Sequence, residues 1–369
     1  MTWEGVGKMK VAIIVPVFCT GGAENMAAQL AVHLDKSKVD VEVISMYPRQ
    51  GHPFEKKIEE AGIPIHYMDK KGHASLGTMI RLWKCLSRMK PDVVHTHIYA
   101  TFYAIPWVLT HKAVQVHTIH SCPGNEFSGA LDKVLSGMSK MGKMVLVAVS
   151  EKNRELARKH YGISQERSCF VNNPVDLDRF RPGETAGHKG VTFINVGRQD
   201  NNKNQAMAVR AMQRVLSRVP DARLVLVGSG PCHDELKQMV RQLALENAVA
   251  LPGECSDPER LLAEADVYLS TSFNEGLPLS MLEAEAAGLP VIATRAGGVG
   301  DIVRENGVLI PPGDQEALET QMLRFAEDPQ LRRHCAAASV EIVKQYDANA
   351  CAERYTQIYE QFRPGKQAE

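Results

Sequence analysis

The residue types best able to do chemistry cluster in Phe273–Thr294. A strand ending near Ser272 feeds a loop that carries Glu275 and Gly276, and Pro278 can open a helix. Gly288 and Pro290 stop that helix before another apolar run. The tip of such a helix offers unpaired backbone N–H groups and positive dipole, a seat for phosphate or sugar oxygens. Gly276 removes a side chain where a ligand must approach the backbone. Glu283 follows Leu279 by four residues and Gly276 by seven, so it shares their face, while Glu285 points roughly the other way. Met281, Leu282, Ala284, Ala286 and Ala287 make the rest of the helix apolar and therefore buried. A buried carboxylate needs a partner, and ligand hydroxyls can supply one. The plainer alternative, one solvated helix glutamate and one loop glutamate, suits either residue alone better than the pair.

A second constellation is Asn195–Asn204, where a strand runs into a turn with Gly197 and Arg198, and Lys203 follows at the start of a helix. Two cations beside a strand end can hold a diphosphate, arginine gripping its oxygens bidentately. Taken alone, the segment reads better as a turn with two ordinary surface cations. Glycine turns recur at Gly21-Gly22-Ala23-Glu24, Gly228-Ser229-Gly230-Pro231 and Ala296–Asp301. None is the full G-x-G-x-x-G fingerprint, but each follows a strand, where α/β folds bind ligands. His95 and His97 alternate on one strand, and His117 and His120 lie near the end of the next. Without carboxylate or cysteine at ligand spacing they suit a metal poorly. His120, at the strand terminus, is the one placed for polar contact with a substrate.

The elements that must position these residues alternate short apolar runs with amphipathic stretches, the mark of βαβ units and parallel sheets. Strands are expected at Lys10–Val17, Val41–Ser45, Asp92–His97, Val114–His120, Val145–Ser150 and Cys169–Asn172. A second series follows at Val191–Val196, Arg223–Val227, Val249–Leu251, Val267–Ser270, Val291–Thr294 and Val308–Ile310. Asp176–Gly190, polar and glycine-rich, suits a linker. Ala348–Phe362 is again helical, with Tyr355, Tyr359 and Phe362, and can return to the first domain. Leu76–Lys90 forms a basic amphipathic helix that packs on the sheet or, less often, rests on an anionic membrane.

At 369 residues the chain suits two domains. Lys+Arg and Asp+Glu each total 43, so no global basic field favours a nucleic-acid partner. The eight scattered cysteines form no C-x-x-C pair and read as reduced core residues of a cytosolic protein. No apolar run approaches the length of a membrane span.

In order along nearly the whole chain, these segments resemble glycosyltransferase family 4. The matching segments are Gly21-Gly22, Asp92–His97, Thr118–Ser121, Asn173–Phe180, Gly197-Arg198 with Lys203, Gly228–Pro231, Glu275 with Glu283, and Gly297-Gly298. The resemblance implies retaining enzymes of the GT-B fold: α/β, two Rossmann-like doubly wound domains facing a central cleft. Residues 1–180 would form the acceptor-side domain, with about 348–369 crossing back to it, and 181–347 the nucleotide-sugar domain. By the same resemblance Arg198 and Lys203 are the cations on the donor diphosphate, Glu275 faces the transferred sugar, and Glu283 binds the ribose. Backbone at Gly276, Leu277, Pro278 and Leu279 borders the donor, Pro278 lacking an N–H, and Gly21, Gly22, Gly197 and Gly228 complete the donor site. His120 corresponds to an active-site histidine near the sugar. Pro174, where glycine is frequent, and Asp301, where glutamate is frequent, are departures.

The implied reaction transfers a hexose-type sugar from a UDP- or GDP-linked donor to a glycan, lipid-linked or other hydroxyl acceptor, with retention. No cofactor and no metal is expected, because fixed cations and a helix tip can stabilise the leaving diphosphate. A cytoplasmic protein is implied, with peripheral contact to the inner membrane face left open. A nucleotide-sugar epimerase of the same fold and a non-catalytic nucleotide-sugar-binding protein are the alternatives. Acceptor recognition is expected in Ile98–Tyr103 and Ser121–Gly129.

Overall fold

The computed structural model describes residues 7–19, 21–72, 75–120, 129–183, 190–255 and 257–365. The chain divides into two compact units, one running to Pro174 and resuming at Ala348, the other Val175–Asp347. The break thus precedes the position after residue 180 where the sequence places it.

Unit 1 is a seven-stranded sheet of β1 (Met9–Val15), β2 (Val39–Ser45), β3 (Ile65–Tyr67), β4 (Val93–His97), β5 (Val114–Ile119), β6 (Met144–Ala148) and β7 (Ser168–Phe170). Its order is β3-β2-β1-β4-β5-β6-β7, and all neighbours pair in parallel. Every residue of β4, β5 and β6 is buried, the polar ones of β4 and β5 included, as strands covered on both faces require. Each fully buried Val or Ile contributes roughly 1.5–3 kcal/mol, so these central strands fix the register of the polar residues at their ends. The C-terminal helix Ala348–Phe362 belongs to this unit, with Tyr355 and Tyr359 fully buried.

Unit 2 holds β8 (Thr192–Val196), β9 (Arg223–Val227), β10 (Val249–Gly253), β11 (Val267–Ser270), β12 (Val291–Thr294) and β13 (Gly307–Ile310). The order β10-β9-β8-β11-β12-β13 is again all parallel, a 3-2-1-4-5-6 arrangement. Strand order reverses at β1/β4 in unit 1 and at β8/β11 in unit 2. These switch points splay the flanking loops apart at the carboxyl ends of the strands, where open α/β sheets take ligands.

Three sequence expectations change. β3 went unrecognised because Ile-His-Tyr is short, polar in its centre and only half-buried. Asp176–Gly183 is no linker. Phe180 is buried, Arg179 grips Glu259 through two hydrogen bonds of 2.9 and 2.6 Å, and a Cβ at Gly183 would lie 2.6 Å from the Ala263 carbonyl oxygen. Residues 184–189 lie outside the described residues. Among the described residues only Cys85, Cys335 and Cys351 are core cysteines. Cys19 is exposed and Cys169, Cys232 and Cys255 are half-buried, while Cys122 lies outside the described residues.

The helix Leu76–Met89 buries Thr78, Leu82, Cys85 and Leu86 on the sheet, and Ser75 Oγ caps it by accepting from Thr78 N–H at 3.3 Å. Its other face exposes Leu76, Ile80 and Trp83, spaced as one helical stripe beside exposed Arg81 and Lys84.

Candidate functional site

The loops after β8 and β11 meet in unit 2. Lys203 Nζ donates to Glu275 Oε1 at 2.5 Å, and Ser272 Oγ donates to the same oxygen at 2.6 Å. The side chains of Lys203 and Glu275 are 24% and 10% exposed, so the pair is largely removed from water. Lys203 lies in the turn before the helix Gln205–Arg218, not within it. Asp200 accepts from the Lys203 backbone N–H at 3.0 Å and lies 3.7 Å from Arg198, fixing the turn that carries both cations. Arg198 itself is exposed. Asn202 ties the two loops together: its carbonyl accepts from Phe273 N–H at 2.8 Å and its amide donates to the Asn274 carbonyl at 2.9 Å. Thr271 Oγ1 donates to the carbonyls of Lys203 and Asn204, and Asn204 adopts left-handed φ of 49°. The turn that presents Lys203 is therefore held at both ends.

Two glycine turns brace these loops from behind. A Cβ at Gly297, whose φ is +53°, would fall 1.8 Å from the Glu275 carbonyl oxygen, and one at Gly298 would fall 2.1 Å from that of Gly276. Gly298 N–H donates to the Gly276 carbonyl at 3.0 Å. Gly228, at φ +120°, presses on the Gly197 carbonyl, 2.2 Å from where its Cβ would be. The space a side chain would need at Gly228, Gly297 and Gly298 is taken by the backbone carrying Gly197 and Glu275.

Pro278 is the N-cap of the helix Leu279–Ala286, one position before the helix it was expected to open. Leu277, Pro278 and Leu279 are buried and Gly276 half-buried just ahead of it. Glu283 is buried at 8% exposure, with the Arg179 guanidinium among the charges acting on it. Glu285 is fully buried and accepts from Asn306 Nδ2 at 2.8 Å, and burial pushes its carboxyl well above the usual range. Sequence reasoning placed Glu283 in this setting. It missed Asp200, Ser272, Arg179 and Asn306, whose roles depend on contacts between distant segments; Asp200 and Arg179 stood within quoted motifs, but without a role.

In unit 1, Gly21 caps and Gly22 opens the helix Gly22–His33, the first helix after β1. Glu24 is buried beside this turn, and burial raises its carboxyl pKa. His120 follows β5 with its ring 2.9 Å, Nε2 to Nδ1, from His97. His95 is spanned by Tyr359 OH at 2.6 Å and Thr118 Oγ1 at 2.8 Å, and His117 Nδ1 lies 3.0 Å from the Thr96 carbonyl oxygen. His95 and His117 are thus core groups bonded to neighbours. Among the described residues no three His, Cys, Asp or Glu side chains cluster to hold a metal ion. Of Ser121–Gly129, expected to meet the acceptor, residues 121–128 lie outside the described residues.

Two doubly wound parallel units, each with its polar residues gathered at strand carboxyl ends, define a Rossmann-type α/β protein of GT-B architecture. Residues 20–179 match the family described as Glycosyltransferase Family 4, and residues 177–341 match Glycosyl transferases group 1. The chain belongs to the family 4 glycosyltransferases. It is 24% identical over 361 residues to UDP-Gal:alpha-D-GlcNAc-diphosphoundecaprenol alpha-1,3-galactosyltransferase of Escherichia coli, covering 84% of this chain and 91% of that protein. It is 26% identical over 236 residues to an uncharacterized glycosyltransferase of Methanocaldococcus jannaschii, a match spanning little more than half of either, 58% of each. Among solved structures, a glycosyltransferase from Rickettsia africae superposes with TM-score 0.82 at 20% identity, over 98% of this chain and 100% of that one. HepE of Anabaena, solved with UDP-glucose, gives 0.82 at 20% identity, over 96% and 100%. At that identity the likeness is one of fold. No helix among the described residues is long and apolar enough to cross a membrane.

Proposed function

We propose that this glycosyltransferase moves a hexose-type sugar from a UDP- or GDP-linked donor to a hydroxyl acceptor with retention of configuration. The observation that carries the reading is the Lys203–Glu275 pair, braced at the β8/β11 switch point directly ahead of the helix tip at Leu279. An ammonium has three donors, and Glu275 takes one, so Lys203 can hold its carboxylate and still bind diphosphate oxygens. Arg198, exposed and lightly held, is free to swing onto the same group. As the bond from the anomeric carbon to the diphosphate breaks, negative charge grows on the leaving oxygen, and fixed cations and helix-tip amides stabilise it without solvent reorganisation. No metal or other cofactor is needed in this scheme. Glu283 is assigned to the ribose hydroxyls and Glu275 to the sugar, with Gly276, Leu277 and Leu279 supplying backbone contacts. In unit 1, Gly21 and Gly22 are assigned to the diphosphate and His120 to the transferred sugar.

The acceptor is proposed to be a glycan or a lipid-linked saccharide. The E. coli relative acts on a diphosphoundecaprenol-linked sugar, and the exposed stripe Leu76, Ile80 and Trp83 with its basic neighbours suits peripheral contact with an anionic bilayer.

A thermal-shift panel of nucleotides and nucleotide sugars tests the donor. A ligand at about 100 times its Kd adds about 2.7 kcal/mol of apparent stability. One uridine or guanosine diphosphate series should raise Tm, and the rise should vanish in Lys203→Ala. A panel in which no nucleotide moves Tm overturns the proposal.

A further inference from the structure

The reading above assigns His120 to the sugar and leaves its ring neighbour His97 without a role. His97 and His120 stand at the carboxyl ends of adjacent strands, with His97 Nδ1 2.9 Å from His120 Nε2 and their ring centroids 5.1 Å apart. In a neutral pair one of these two nitrogens carries the proton and the other accepts it. His97 is fully buried, and its second nitrogen, Nε2, has no hydrogen-bond partner among the described residues. Its other neighbour is the His95 ring, 4.4 Å away and itself fixed by Tyr359 and Thr118. Burial holds both His95 and His97 well below the ordinary imidazole range, so His97 is neutral and bears one ring proton.

That proton has two possible homes. On Nε2 it would be a buried donor with no group among the described residues to receive it. On Nδ1 it bonds to His120 and leaves only an unpaired lone pair at Nε2, the lesser defect. We infer that His97 is a positioning residue that fixes His120 as its Nδ1–H tautomer, His120 Nε2 accepting from His97 Nδ1–H. The nitrogen that His120 has for any further contact is then a donor. It suits an oxygen of a sugar or phosphate and does not suit proton abstraction, so His120 donates a hydrogen bond and is not a general base.

Long-range proton–nitrogen correlation spectra of the full chain, labelled with nitrogen-15 in histidine, read tautomers directly and need no substrate. His97→Phe and His120→Ala identify the two rings. His120 should show the Nδ1–H pattern, opposite to the Nε2–H form that free neutral imidazole favours. His97→Phe should return it to Nε2–H, while His97→Asn, whose amide can donate from near the Nδ1 position, should retain Nδ1–H. An Nε2–H His120 in the unmodified protein overturns the inference.

The kinetic arm rests on the role proposed for His120. His97→Phe should lower kcat roughly tenfold with donor KM within about twofold, by analogy with other histidine-orienting partners, and Asn should recover most of the loss. If His120→Ala transfers sugar normally, the proposed role of His120 fails and the spectra still decide the tautomer. If His120→Ala is inactive while His97→Phe is unimpaired, the inference about His97 fails alone.

Discussion

Replacing Lys203 separates what this residue does for folding from what it does for transfer. Its ammonium lies 2.5 Å from Glu275 Oε1, and the carboxylate side chain is only 10% exposed. Lys203→Ala leaves Glu275 Oε1 with the Ser272 hydroxyl as a side-chain donor. Stranding a part-buried charge costs on the order of 1–3 kcal/mol, and the 24% exposure of Lys203 draws the value toward the lower end through solvent screening. A loss of about 1–2 kcal/mol leaves the protein folded, since domains have roughly 5–15 kcal/mol in hand. Transfer should suffer more, because removing one preorganised donor to a developing anion costs about 3 kcal/mol, or on the order of 10²-fold in kcat. Glu275→Gln keeps an acceptor for Ser272 and should lose less stability. The double variant then reports on mechanism. If Lys203 and Glu275 contact different parts of the donor, their losses multiply to roughly 10⁴-fold; if Glu275 only orients Lys203, the double variant is no worse than Lys203→Ala. Urea melts and initial rates with the donor identified by thermal shift measure both quantities. A folded Lys203→Ala protein with near-normal kcat refutes the assignment of this pair to the donor diphosphate.

Three further outcomes follow from the same geometry. Gly297→Ala puts a Cβ 1.8 Å from the Glu275 carbonyl oxygen at φ +53°, so about 1–3 kcal/mol of stability and most transfer should be lost; Gly300→Ala, with nothing within 4 Å of its Cβ, is the control that should match the parent in both. Glu285 has its folded pKa raised by burial, so its contribution is fully present below the unfolded value near 4.3 and is lost as pH rises toward the folded value. Glu285→Gln should therefore gain stability relative to the parent as pH rises from about 4 toward neutrality, and a urea midpoint difference that is flat across that range contradicts the burial of a protonated carboxyl. Lys84→Ala should weaken binding to phosphatidylglycerol vesicles about fivefold, since a basic residue near an anionic surface contributes about 1 kcal/mol, and Trp83→Ser should weaken it too; flotation showing equal binding to phosphatidylcholine would remove the electrostatic argument.

The strands were legible because parallel strands buried on both faces leave unbroken Val and Ile runs, and β9, β11 and β12 begin and end where those runs do. β3 was not, because a half-buried edge strand needs no such run. The same distinction governs the site. Glu283 was legible as a buried carboxylate because its helix is apolar on every side, a local property. Its sister Glu285 turned out the more deeply buried, and its hydrogen-bond donor Asn306 lies on a loop that no local pattern connects to the helix. Glycine gave the least direct reading. Sequence shows where a side chain is missing but not what fills the space, and at Gly228 and Gly297 the space is filled by carbonyl oxygens of neighbouring loops. These glycines let the loops of β9 and β12 press against those of β8 and β11, so that Lys203 and Glu275 meet at fixed separation. A motif that looks like a ligand cradle in one dimension can thus act in three as the buttress of the residues that face the ligand. Substituting it should then harm transfer through misplacement of Lys203 and Glu275 and not through a lost contact.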